Sequence, residues 1–178
     1  EFVGKQKPIR KRLDPVQIYY FERAVLDLGF NQFQLIYERT NKIKVGTITS
    51  SNEKIYCRGA EIQIPDGLTM ASFIKNGFSD ELKLAGVYSD KSNIELIGNI
   101  SNIDVNCNVG TANWTTEMEI TIGQNEPFII KNIYTYEGAI IFDPAYKNAQ
   151  QALNSALQDF YSLIIKHPDF SKALSTPM

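Results

Sequence analysis

The side chains able to do chemistry are few and scattered. His167 is the only histidine, and Cys57 and Cys107 are the only cysteines. His167 precedes Pro168 at the end of an apolar-periodic run, where the C-terminus of a helix favours positive charge. A capping or structural role is a simpler reading of it than proton transfer. One histidine and two cysteines do not make a zinc set of ordinary spacing. A Cys57–His167 nucleophile pair is conceivable, but nothing near either residue supports it. The sequence carries no GxSxG, no GxxxxGK(S/T), no CxxC and no GxGxxG after a strand. Neither a metal nor a cofactor is expected.

The cysteines have two readings. In an exported chain, a Cys57–Cys107 disulfide closes a loop of about 50 residues, which the chain-entropy model values at roughly 4 kcal/mol. In a reducing compartment each is a small buried hydrophobe. The carboxylates also offer chemistry. Glu117 and Glu119 stand two apart on the polar side of an alternating run, and Asp80 with Glu81 on a helical stretch. A hydrolase could use such a pair if their environments split the two pKa values. Acids on the wet side of an amphipathic element ordinarily just solvate it, and that reading is preferred. Nine tyrosines and ten phenylalanines suit strands and core. A glycan or peptide surface would also be aromatic, and Trp114, Tyr134 and Tyr136 are the residues that would form it. Asn99-Ile100-Ser101 and Asn113-Trp114-Thr115 match the N-glycosylation pattern, which has meaning only in a eukaryotic secretory chain.

The elements that position these residues are organised around residues 68–105. Met70, Phe73, Ile74, Phe78, Leu82 and Ala85 recur at helical spacing, and Gly86 follows as a left-handed cap. Ile94, Leu96, Asn99, Ile100, Ile103 and Val105 then read as a strand, largely apolar on one side. A helix and a strand with one apolar face each make a two-layer core. Upstream, residues 1–13 are a basic lead-in with Lys5, Lys7, Arg10, Lys11 and Arg12, read as a solvated tether. Asp14-Pro15 opens a helix with Ile18, Phe21, Val25 and Leu28 on one face, ended by Gly29. Residues 33–38 read as a short strand. Residues 42–64 hold two strand-like runs joined by SSNEK, which predicts a hairpin, and PDG at 65–67 is a turn. Downstream, Trp114, Thr116, Met118, Ile120 and Ile122 alternate with Thr115, Glu117, Glu119 and Thr121, one face to the core and one to water. The run from Phe128 to Glu137 is the next strand, so three strands with short turns predict an antiparallel meander. Residues 145–165 are the strongest helix, with Tyr146, Ala149, Leu153, Ala156, Leu157, Phe160 and Ile164 in one stripe and Pro168 beyond it.

Composition bounds the rest. With 178 residues, 43% apolar and 21% charged, the chain can bury one ordinary core. A net charge of −2 gives no reason to expect nucleic acid, whose binding rests on clustered Lys and Arg. No apolar stretch reaches the roughly 18 residues of a membrane span. The N-terminus lacks the apolar region of a signal peptide and begins at Glu1, as a processed form or a cloned fragment would.

Four phrases together carry a resemblance: IYCRGAEIQIPDG, FSDELKLAGVYSDKSNIELIGNISNIDVN, GTANW with its alternating strand, and ALQDFYSLIIKHPDF. They resemble the small envelope lipoproteins of Gram-negative bacteria, from uncharacterised families with the layout of periplasmic transport-auxiliary lipoproteins. The resemblance covers about residues 55–170 and is structural. It implies an exported chain in the periplasm, held at the outer membrane by a lipid on a cysteine ahead of residue 1, with an envelope protein partner. It brings no catalytic residue. In an oxidising periplasm it also implies pairing of Cys57 with Cys107.

The expected fold is α+β: a mainly antiparallel sheet of five or six strands in one domain, 14–178, with helices at about 68–85 and 145–165 on one face. The expected function is non-enzymatic, a binding or assembly component of the envelope. A small-molecule or glycan binder is the alternative, and a carboxylate hydrolase a weaker one. An interaction module needs an exposed apolar patch or an open sheet edge. A ligand binder needs an enclosed aromatic pocket, and a hydrolase a cleft with two acids of separated pKa.

Overall fold

From Lys44 to Asn106 the chain makes a strand, a small hairpin, a helix, and a second strand parallel to the first. A computed structural model describes residues 41–52 and 54–175. The expectations for the lead-in at 1–13, the helix at 14–29 and the strand at 33–38 lie outside the described residues. The main sheet has the order β1-β4-β5-β6, with β1 Lys44–Ser50, β4 Glu95–Asn106, β5 Thr111–Ile122 and β6 Phe128–Glu137. β4, β5 and β6 form the expected antiparallel meander. The fold is α+β, its sheet mainly antiparallel. Among the described residues this sheet has four strands, because β2 Tyr56–Cys57 and β3 Ala60–Glu61 pair only with each other.

The hairpin expected over 42–64 is not formed. β1 instead runs parallel to β4, with Lys44 opposite Glu95 and Ser50 opposite Ile100. Parallel strands need a long crossover, and the helix α1 Met70–Leu84 supplies it. This arrangement buries Val45 and Ile48 under α1. The second run closes on itself at Arg58-Gly59, where both residues have positive φ (49° and 87°). That is the geometry of a two-residue hairpin turn of the primed type.

Local chemistry explains α1. Thr69 caps it, its hydroxyl accepting from the Ser72 amide at 3.2 Å, and Gly86 leaves it at φ 70°. Met70, Ile74, Phe78 and Leu82 are fully buried. In β4 the inward residues are Leu96, Gly98 and Ile100, then Ile103 and Val105. The phase changes because Ser101 is an extra residue: Ile100 faces Met118 while Asn102 faces Glu117. A bulge of this kind keeps one apolar set on the core side across the slip. The Ser101 hydroxyl donates to the Glu117 carboxylate at 3.0 Å.

The long helix α2 spans Phe142–Lys166, three residues earlier than its periodicity alone suggests. Asp143 suits its first turn, and Pro144 is tolerated there. Ala145, Ala149, Leu153, Ala156, Leu157 and Phe160 are buried against β5 and β6. Trp114 donates its Nε1–H to the Ala149 carbonyl at 2.9 Å, and the Asn132 amide donates to the Ala156 carbonyl at 3.1 Å. Tyr161 donates to the Ile74 carbonyl of α1 at 3.1 Å. A Cβ at Gly77 would stand 2.7 Å from that Tyr161 hydroxyl, so glycine in mid-helix admits the crossing. Beyond α2, His167 stacks on Phe128 with ring centroids 4.1 Å apart, and α3 Pro168–Ser175 follows. Both principal helices therefore lie on one face of the sheet.

Replacing Trp114 by Phe should keep an aromatic ring in the core but remove one of the two side-chain anchors that β5 and β6 give the helix. Urea unfolding followed by far-UV circular dichroism is expected to show a loss of about 1–3 kcal/mol with an unchanged m-value. A loss within about 0.5 kcal/mol, the noise of a surface substitution, would contradict the anchoring role.

Candidate contact site at the disulfide-stapled pole

Three connections meet at one end of the sheet. They are the Arg58-Gly59 turn, the β4–β5 loop at 107–110, and the β6–α2 connection at 138–141. A disulfide joins Cys57 to Cys107, with Cα atoms 5.7 Å apart. Arg58 holds all three together: Nε donates to the Cys107 carbonyl at 2.9 Å, Nη1 to that of Ile140 at 2.9 Å and Nη2 to that of Ala139 at 2.7 Å. Gly138 packs so closely that a Cβ there would lie 2.8 Å from the Asn108 carbonyl oxygen. Tyr136 donates to the Asn106 carbonyl at 3.3 Å, and its oxygen lies 3.5 Å from Cys107 Sγ. Burial pushes the Tyr136 phenol above its ordinary pKa, and the Arg58 charge opposes that shift. Tyr146 donates to the Glu61 carbonyl at 2.9 Å, tying α2 to the small hairpin.

On this braced base stands an apolar tip. Ile140 is 79% exposed, Ile141 69%, Phe142 42% and Val109 60%. The three consecutive residues belong to Gly138-Ala139-Ile140-Ile141-Phe142, an apolar run where a polar loop is the norm. A run of three or more exposed apolar residues in a row conflicts with solubility unless function requires it.

The two cysteines come together as a disulfide. The aromatic trio does not form a surface: Trp114 is 1% exposed under α2, and Tyr134 and Tyr136 are half-buried on the inner side of β6. The reason is the pleat, because positions 114, 134 and 136 all carry the core-facing parity of their strands. Among the candidate carboxylates Asp80 and Glu119 are exposed, and Glu81 and Glu117 are half-buried. Glu117 faces Lys131 at 3.6 Å across the strands, and Asp80 pairs with Lys83 at 2.8 Å. Among the described residues no group of three or more metal-ligating side chains is gathered. A cleft of about 240 Å³ lies between the end of β1 and the start of α1, lined by Ile48, Thr49, Ser50, Asn52, Thr69, Met70 and Ala71. Sequence reasoning missed Arg58, Val109 and Ile140–Phe142. The available signal was the apolar run between a strand and a helix.

No protein-family model matches the chain. No curated protein matches it either. Among solved structures, the crystal structure of protein XCC0632 from Xanthomonas campestris, of the DUF330 family, is similar. It shares 9% identity over 76% of this chain and 91% of that one, with a TM-score of 0.49. A likeness at that level identifies no activity.

Arg58→Ala should leave the disulfide intact and free three carbonyls at the pole. Global stability is expected to fall by about 1–3 kcal/mol, the range for hydrogen bonds to a charged donor. Amide exchange at 138–145 should accelerate selectively, and unchanged exchange there would refute the clamp. Glu81 provides a separate test. Burial raises its pKa above the ordinary carboxylate value, and Asp80 adds to the rise. The fold therefore prefers the protonated form, so the stability from Glu81 is complete below the unfolded value and is lost as pH rises through the folded one. Glu81→Gln should raise Tm at about pH 7, with the gain shrinking as pH falls towards about 4. A gain independent of pH would disprove the assignment.

Proposed function

We propose that the protein is a non-enzymatic component of the Gram-negative cell envelope that works by contact through its apolar pole. The observation that supports this most is the exposed run Ile140-Ile141-Phe142 beside Val109, on a base held by a disulfide and a triply bonded arginine. Exposed apolar side chains gathered at one place are characteristic of surfaces that meet something else. The Cys57–Cys107 disulfide supports an oxidising compartment, because such bonds persist in the periplasm and are rare in the cytosol. On this reading the chain is periplasmic, held at the outer membrane by a lipid on a cysteine ahead of residue 1. Among the described residues no helix is long and apolar enough to cross a membrane.

The glycan-binding alternative loses its aromatic wall with Trp114 buried. Among the described residues, the cleft beside α1 has about 240 Å³, below the roughly 300–1,000 Å³ of ordinary ligand pockets.

Intact mass of the protein expressed with its native leader tests the compartment directly. The expected result is a diacyl or triacyl increment, with two thiols that alkylate only after reduction. An unmodified chain with two free thiols would refute export and the lipid together.

A further inference from the structure

We infer that two copies of this chain join edge to edge through β6, antiparallel about a two-fold axis at Tyr134. This surface is separate from the pole, and the pairing stands whether or not the pole makes contacts. β1 and β6 are the outer strands of the sheet, and among the described residues no strand pairs with the outer side of β6. An edge strand directs half its amides and carbonyls away from its sheet neighbour. Proteins blunt such edges with short strands, bulges, proline or lysine. β1 is blunted in this way, being seven residues long with a register slip between Val45 and Ile48. β6 is not. It runs ten residues, follows β5 from Phe128 to Glu137 without a slip, and has its nearest proline, Pro127, before it begins. Its one lysine, Lys131, leans towards Glu117 of β5 at 3.6 Å. Ile129, Lys131, Ile133, Thr135 and Glu137 form its outward row and are all exposed, Ile129 by 62% and Ile133 by 59%.

The strand's own sequence identifies what fits that edge. Antiparallel pairing of two β6 strands must keep odd positions opposite odd ones, so that the outward row stays outward. With Tyr134 opposite itself, Lys131 lies opposite Glu137 of the partner subunit, and the same contact occurs twice. Ile133 then meets Thr135 and Asn132 meets Tyr136. Opposite charges, β-branched pairs and aromatic pairs are the contacts that stabilise such ladders. Centring the axis on Asn132 or Ile133 forfeits both charge pairs, and centring it on Lys131 sets lysine against lysine. The helix layer accommodates the partner. Asn132 is tied to the Ala156 carbonyl, and the Glu137 carbonyl accepts from Asn148 Nδ2 at 3.0 Å. The part of α2 near Ala152 therefore stands over Tyr134, where the axis passes. Ala152 and Ser155 follow Asn148 on the same flank of α2, and both are small. Since α2 packs on both β5 and β6, two such helices across the axis stand about two strand spacings apart, close to the 8–10 Å of packed helices.

The test is the mass of the full chain in solution, by sedimentation velocity over a concentration series. The expected result is a concentration-dependent species of twice the 20.1 kDa chain mass. Lys131→Glu brings like charges together at both 131–137 contacts, and so does Glu137→Lys. Both positions are exposed, so each variant should keep its circular dichroism spectrum while dimer affinity falls by about tenfold or more. Mixed in equal amounts, the two variants should dimerise again. Each 131–137 contact then joins opposite charges, which happens only when the strands run antiparallel about this axis. A chain that stays monomeric at every concentration overturns the inference. So does a dimer that both variants leave intact, or a pair of weakened variants that does not recover on mixing.

Discussion

Alanines at 145, 149 and 156 let the backbone of α2 approach the sheet closely enough for its carbonyls to be used as anchors. Trp114 from β5 and Asn132 from β6 reach the carbonyls of Ala149 and Ala156, two helical turns apart. Larger residues at those positions would hold the helix away and leave both donors buried without partners, which is costly. This seating fixes where α2 begins relative to the end of β6. Only four residues, 138–141, separate Glu137 from Phe142. The connection is too short to fold its own side chains inward, so Ile140 and Ile141 face outward.

The pole itself is a case of local strain held by its surroundings. Arg58 sits at φ 49°, a conformation that costs an L-residue about 1–2 kcal/mol. Three charge-assisted hydrogen bonds and the adjacent disulfide offset it. The left-handed turn aims the guanidinium at the two neighbouring loops. Strain of this kind persists where the structure around it over-determines the conformation, and such places are often functional.

Electrostatics plays a smaller part. The pairs Lys44–Glu95 and Lys131–Glu117 lie opposite each other in register and agree with the strand pairing. Exposed pairs of this sort contribute from about 0 to 1 kcal/mol. They favour one register more than they stabilise the fold. The buried polar groups matter more, and among the described residues none of their side-chain nitrogens or oxygens lacks a partner.

Much of the architecture was legible in the sequence, because it depends on short-range period. The helix from Met70, the alternating strand from Thr111 and the stripe of α2 each follow from neighbours two, three or four residues apart. The shift from Ile100 to Ile103 also marks the bulge, once the core side is known. Pairing was not legible. Residues 42–64 have the composition of a hairpin, yet β1 finds β4 instead, since the gain comes from burying Val45 and Ile48 beneath α1, a helix further along the chain. The aromatic residues illustrate the same limit. Composition shows that Trp114 and the tyrosines are present, but the parity of their strands and the position of α2 decide that Trp114 is a core anchor. What the sequence alone determined is the set of elements and their apolar faces, through local period. Only the tertiary structure decided that Arg58, Val109 and Ile140–Phe142 share one pole, because residues some 80 apart meet there through long-range contacts that no local pattern encodes.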